Sequence, residues 1–123
     1  HAAPGFVISL AGLYGCGYEA FNQVLREAGE MTWQAGPVNK YPGLCHGTPG
    51  NGYALLKLYK LTGDELWLQR ARQFAISAME QHEEFSEAGC SANSSLWDGD
   101  LGLALYLADC LDGKADFPTL DYF

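Results

Sequence analysis

Three short stretches of this chain are apolar at almost every position. They carry Phe6, Val7, Ile8, Leu10 and Leu13; then Tyr53, Leu55, Leu56, Leu58 and Tyr59; then Leu103, Leu105, Tyr106 and Leu107. Two longer stretches between them alternate differently. Residues 18–33 place Tyr18, Phe21, Val24, Leu25, Ala28 and Met31 at three- and four-residue steps, with Glu19, Arg26, Glu27 and Glu30 opposite. Residues 64–82 repeat the pattern with Trp67, Ala71, Phe74, Ala75, Ala78 and Met79 against Glu65, Arg70, Arg72 and Glu80. The second pattern is that of amphipathic helices. The first fits helices buried on all sides, or short buried strands; the alanine content and the way each run begins favour helices. The order predicted is inner, outer, inner, outer, inner.

The beginnings of the three apolar runs form a repeat. His1-Ala2-Ala3-Pro4-Gly5 and His46-Gly47-Thr48-Pro49-Gly50 share H-x-x-P-G, and Asp98-Gly99-Asp100-Leu101-Gly102 keeps the two glycine positions of the second. Spacings of 45 and 52 residues separate the three, a period typical of stacked helical units. Thr48 is expected to cap the second inner helix, with Pro49 in its first turn where no N–H is needed. Asp100 is the expected cap of the third. Gly63 should stop the second inner helix and Asp64 should cap the next outer one. Because Gly5, Gly50 and Gly102 hold equivalent places, all three starting turns are expected on one rim. Buried helices ringed by amphipathic ones describe an α/α toroid, of which this chain holds about two and a half repeats.

At 123 residues, 48% of them hydrophobic, the chain has room for one domain and is too apolar to be disordered. Fifteen acidic against seven basic side chains give a net charge of −8. That balance supplies no basic footprint for nucleic acid and repels an anionic membrane surface. No apolar run reaches the length of a membrane span. The chain opens on His1 without a signal-peptide pattern, which suggests a fragment. The four cysteines, Cys16, Cys45, Cys90 and Cys110, show no C-x-x-C spacing, so a reducing, cytoplasmic compartment is expected.

Candidate chemistry sits at Gly43-Leu44-Cys45-His46-Gly47. Neighbouring residues diverge on both helices and strands, so Cys45 and His46 reach one ion only from an irregular turn, which the two glycines permit. Thiolate with imidazole suits zinc, although two donors are one short of the three usual in a catalytic zinc site. The alternative is a buried cysteine and a hydrogen-bonded histidine at a helix start.

Tyr41-Pro42-Gly43-Leu44-Cys45-His46-Gly47-Thr48-Pro49-Gly50-Asn51 resembles the C-H-G-x-x-G-N signature of lanthionine synthetase C-like (LanC-like) proteins. Ser95-Leu96-Trp97-Asp98-Gly99 is similar to the S-L-aromatic-acid-G step before that family's last inner helix, and Phe117-Pro118 to its F-P near the C-terminus. His1 to Gly5 resembles an earlier C-H-G-x-P-G motif without its Cys. Leu58-Tyr59-Lys60-Leu61-Thr62 is closest to eukaryotic-type members. The resemblance spans residues 1–123 and implies the C-terminal part of a LanC-like α/α toroid domain.

It further implies Zn2+ held by Cys45, His46 and an upstream cysteine that this sequence lacks. The implied reaction is zinc-dependent addition of a thiol, from glutathione or a cysteine-containing peptide, to dehydroalanine or dehydrobutyrine in a peptide. The full-length protein is therefore expected to be an enzyme, and the 123-residue piece inactive. Lys40 matches a family lysine implicated in glutathione handling; it is read as a cation for a carboxylate or enolate, or as a solvated loop residue. His1 is a candidate catalytic neighbour of the metal. Asp98 is read as a group that orients an imidazole or binds a substrate amine, or as a helix cap. Two other functions remain open. A protein of the same fold could bind zinc and glutathione as a signalling adaptor without turnover. A six-hairpin glycosidase needs paired carboxylates, and none recurs at the matching turns.

Overall fold

A computed structural model describes residues 2–38, 42–91, 93–118 and 120–121. Among these the chain is all helical. Helix α1 spans Ala2–Leu10 and runs into a 3-10 turn at Ala11–Leu13; α2 spans Glu19–Ala35, α3 Thr48–Thr62, α4 Glu65–Glu87 and α5 Asp100–Asp112. Helix α3 lies between α1 and α5, while α2 packs on α1 and α3 and α4 packs on α3 and α5. The inner–outer alternation expected from the apolar pattern is therefore present.

Among the helices of the described residues, only α3 is buried all round. Tyr53, Ala54, Leu55, Leu56 and Leu58 have no exposed surface, and each such leucine stabilises the fold by about 2 kcal/mol. Helices α1 and α5 are covered on one side only: Phe6, Leu13, Leu101 and Leu111 are exposed. The stripe on α2 is also wider than its packed face, with Leu25 and Ala28 buried but Tyr18, Val24 and Met31 exposed.

Helix ends follow the sequence in part. Asp64 caps α4 by accepting the N–H of Leu66 at 3.0 Å, and Gly63 closes α3 in the left-handed conformation (φ 70°). The other two expected caps fail. Gly47 is the N-cap of α3 and Gly99 that of α5, neither with a side-chain bond. Thr48 and Asp100 are the first helical residues, and their side chains turn outward to brace neighbouring segments. Close approach explains two glycines inside α3. A Cβ on Gly52 would lie 1.9 Å from the Tyr106 hydroxyl, and one on Gly50 1.9 Å from the Leu44 carbonyl oxygen.

Below the starting turns, polar groups are paired. Tyr53 Oη donates to Asp109 Oδ2 at 2.7 Å, and Tyr106 Oη donates to the Ala71 carbonyl at 2.6 Å, joining α5 to α3 and α4. Arg70 lies between Trp33 and Trp67, 5.3 and 4.9 Å from their ring centres, and also pairs with Glu30.

Candidate metal centre

The turn before α3 is set by two glycines. Gly47 is extended (φ −107°, ψ 179°), which points α3 away from the turn. Gly43 lets a second loop lie directly across: a Cβ there would sit 2.6 Å from the Trp97 carbonyl oxygen and 2.9 Å from Asp98 Cα. The Cys45 N–H donates to that same Trp97 carbonyl at 2.9 Å. With the backbone held this way, Cys45 and His46 are both exposed, and Cys45 Sγ is 3.9 Å from His46 Nε2. The reading of Cys45 as a buried core cysteine is thereby excluded.

A ring of hydrogen bonds anchors this turn from outside. Val38 N–H donates to Thr48 Oγ1 at 3.2 Å, Thr48 Oγ1 donates to Gln81 Oε1 at 2.9 Å, and Gln81 Nε2 donates to the Val38 carbonyl at 3.0 Å. Thr48 is fully buried, so the ring satisfies a hydroxyl that water does not reach.

The loop before α5 delivers Asp98. Ser95 Oγ accepts the N–H groups of Trp97 and Asp98, each at 3.2 Å, and Asn93 Nδ2 donates to the Asp98 carbonyl at 3.3 Å. The Asp98 carboxylate caps no helix, contrary to one of its two readings. It points to the ligand atoms of Cys45 and His46, and the three lie within 4.8 Å of one another, all exposed.

This cluster is capable of coordinating a metal ion. Bond lengths of about 2.3 Å for Zn–S and 2.0 Å for Zn–N at a tetrahedral angle put sulfur and nitrogen about 3.5 Å apart, close to the 3.9 Å found. A thiolate, an imidazole and a carboxylate are also the donor types zinc accepts.

The cluster opens on a cavity of about 400 Å³, whose lining includes Pro4 and Gly5 of α1, Asn51 of α3, Trp97 and Phe117. The starts of α1, α3 and α5 thus share one rim, as the repeat implied. Trp97 and Phe117 entered the sequence reading only as motif positions, with no role at a site. The signal for Trp97 was present, since it holds the place in its turn that Cys45 holds 52 residues earlier. Phe117 is fixed by a tail contact: Asp121 pairs with Lys57 of α3 and accepts the Phe117 N–H.

His1 and Lys40 lie outside the described residues. His82, on α4, has its Nε2 3.1 Å from Asp100 Oδ1. All four cysteines are free, with Cys16 and Cys90 exposed and Cys110 in the core. Burial pushes the Cys110 thiol up to about 11, which keeps it protonated and unreactive. No helix of the described residues is long and apolar enough to cross a membrane.

A glycine-framed Cys-His turn at the start of a buried helix, within a repeat of inner and outer helices, defines a class. Residues 1–122 match the family model described as lanthionine synthetase C-like protein, and the chain belongs to that family. It is 35% identical over 126 residues to the zebrafish (Danio rerio) protein named Glutathione S-transferase LANCL1, covering 98% of this chain and 30% of that protein. It is 43% identical over 77 residues to the LanC-like protein GCL1 of Arabidopsis thaliana, covering 61% of this chain and 18% of the relative. The chain thus spans less than a third of the length of the curated relatives it matches.

Proposed function

We propose that this chain is the C-terminal part of an α/α toroid enzyme. It adds the thiol of glutathione, or of a peptide cysteine, to dehydroalanine or dehydrobutyrine residues in peptides. The observation that carries the reading is the convergence of Cys45, His46 and Asp98 on the rim of a cavity large enough for a peptide side chain. Membership of the LanC-like family and likeness to a relative named as a glutathione S-transferase support it. The exposed apolar faces of α1 and α2 fit further helices packing there in a full ring.

Cys45 and His46, with the upstream cysteine the family implies, would hold the zinc. When bound, zinc favours the ionised form of a thiol at neutral pH. The reaction forms a C–S bond at the β-carbon of the dehydroamino acid. The π-electron pair moves toward the adjacent carbonyl, and the α-carbon then takes up a proton, so the thiol proton is accounted for in the thioether product. Lys40, five residues before Cys45 in the sequence, would supply positive charge for the developing enolate or for a glutathione carboxylate. His1 is assigned as a catalytic neighbour of the metal, and Asp98 as a carboxylate that orients an imidazole or binds a substrate amine. Trp97 and Phe117 give the cavity apolar walls against which a peptide can lie. The protein is assigned to the cytoplasm, where glutathione is abundant and its four free cysteines are stable.

The test uses the full-length protein. Elemental analysis should find zinc in the parent and essentially none in Cys45→Ala. Mass spectrometry should show glutathione added to a dehydroalanine peptide by the parent alone. Zinc without any adduct would leave a binding protein in place of an enzyme. Full zinc retention in Cys45→Ala would overturn the ligand assignment.

A further inference from the structure

The cavity beside Cys45 and His46 has an aromatic corner that the thioether chemistry does not use. We infer that Trp97 and Phe117 form a subsite for the peptide, which selects an apolar residue next to the dehydroamino acid, with Asp121 as its positioning residue. The inference rests on the reading of this cavity as the place of reaction, and it names which peptides that site prefers.

The corner is held firmly although it meets solvent. The Trp97 N–H donates to Ser95 Oγ at 3.2 Å, and its carbonyl accepts the Cys45 N–H at 2.9 Å. The contact that braces Cys45 therefore also places the indole. Trp97 is 37% exposed, whereas Trp67 in the core is 4% exposed. The indole leans on Phe117, with ring centres 6.2 Å apart at 41°. Phe117 in turn meets the buried Tyr53 edge to face at 5.1 Å.

The chain after α5 brings Phe117 to this place, and two ion pairs to α3 fasten it there. Lys60 pairs with Asp116 at 2.7 Å, one residue before Phe117. The buried Lys57 pairs with Asp121, four residues after it, and Asp121 also accepts the Phe117 N–H. A buried ion pair adds little net stability. What this one supplies is a fixed location for the ring.

The walls choose the occupant. Ile8, Leu44 and Leu120 extend the apolar surface of Trp97 and Phe117, and no described lining residue is a lysine, an arginine or a carboxylate. Glutathione carries carboxylates and an ammonium and has no aliphatic or aromatic side chain, so it gains little from such walls. A leucine or phenylalanine beside a dehydroalanine gains by leaving water for them. At about 400 Å³ the cavity is within the size range of ligand pockets, with room for one such side chain while the dehydroamino acid lies at the Cys45–His46 edge.

The experiment measures the affinity of the full-length protein for two labelled peptides by fluorescence anisotropy. Both carry serine in place of dehydroalanine, so neither reacts; one has leucine on each side of the serine and the other glycine. The parent should bind the leucine peptide about tenfold more tightly, as a partly buried leucine requires. Trp97→Ala should bring the two affinities within about twofold of each other, with zinc content as in the parent. Trp97→Phe keeps an aromatic wall and should retain most of the preference. Asp121→Asn should lose part of the preference, while affinity for the glycine peptide stays at the parent level. Equal binding of both peptides by the parent, or a leucine preference that survives in Trp97→Ala, would overturn the subsite. So would Trp97→Ala weakening both peptides alike, which marks a purely structural residue. A preference lost in Trp97→Ala, in a protein that adds no glutathione to dehydroalanine peptides, would uphold the subsite and overturn the enzyme reading.

Discussion

The turn leading into α3 and the turn leading into α5 follow the same backbone course, yet they are braced differently. The α3 turn is locked from outside by the part-buried Thr48–Gln81–Val38 ring. The α5 turn is held by Asp100, which accepts the Asn93 N–H at 3.1 Å and pairs with His82, both partners about one-third exposed. Gln81 and His82 are consecutive residues of α4. Adjacent positions on a helix diverge by about 100°, so one outer helix, wedged between α3 and α5, reaches both turns at once. The repeated backbone thus supplies a position, the residues at the second and third places of each turn supply the chemistry, and a single outer helix sets how firmly each turn is held.

Breaking the α3 turn at its tightest contact should have the largest effect. Alanine would ordinarily favour a helix interior over glycine by about 1 kcal/mol. At Gly50 its Cβ would meet backbone at 1.9 Å, and relieving that overlap costs about 3 kcal/mol. Gly50→Ala should therefore lower the thermal midpoint by several degrees in a melting experiment. Gly5→Ala is the control, because nothing lies within 4 Å of a Cβ there; it should be neutral or slightly stabilising. An equal loss at both sites would refute the packing account.

A smaller and more selective effect is expected at Gln81. Gln81→Leu removes the 3.0 Å donor to the Val38 carbonyl and the 2.9 Å acceptor of the Thr48 hydroxyl, leaving that hydroxyl to donate to the carbonyl over 3.3 Å, at a cost of about 1 kcal/mol. Since Thr48 follows His46 by two residues, metal affinity should fall along with stability. Chelator competition on the full-length variant checks this, and parent affinity in a destabilised variant would separate the brace from the metal centre. His82→Ala should do least. Its partly exposed pair with Asp100 is worth less than about 1 kcal/mol, so the shift in melting midpoint should be the smallest of the three, with metal affinity unchanged.

Much of this architecture was legible in the sequence. The three- and four-residue steps of 64–82 located α4 and its buried Trp67, Ala71, Phe74, Ala75 and Ala78, because an amphipathic stripe reports burial directly. The H-x-x-P-G repeat located the shared rim, since equivalent glycines mark equivalent turns. Caps were less legible. Thr48 and Asp100 are residue types that cap helices, yet Gly47 and Gly99 take the position, and the side chains answer to Gln81 and His82, far away in sequence. Such a choice is made by tertiary partners and leaves no local mark. Phe117 was hidden for the same reason, being carried to the cavity by a tail that Lys57 and Asp121 tie down.

The contact between Gly52 and Tyr106 makes two distant positions hereditary partners. Any side chain at 52 displaces the tyrosine hydroxyl, and with it the bond to Ala71 that fastens α5 to α4. A smaller residue at 106 would leave a hollow beside a glycine unable to fill it. Either change alone is penalised, whereas a larger residue at 52 arriving with a smaller one at 106 restores the fit. Among descendants of this sequence, the two sites should evolve as a correlated pair.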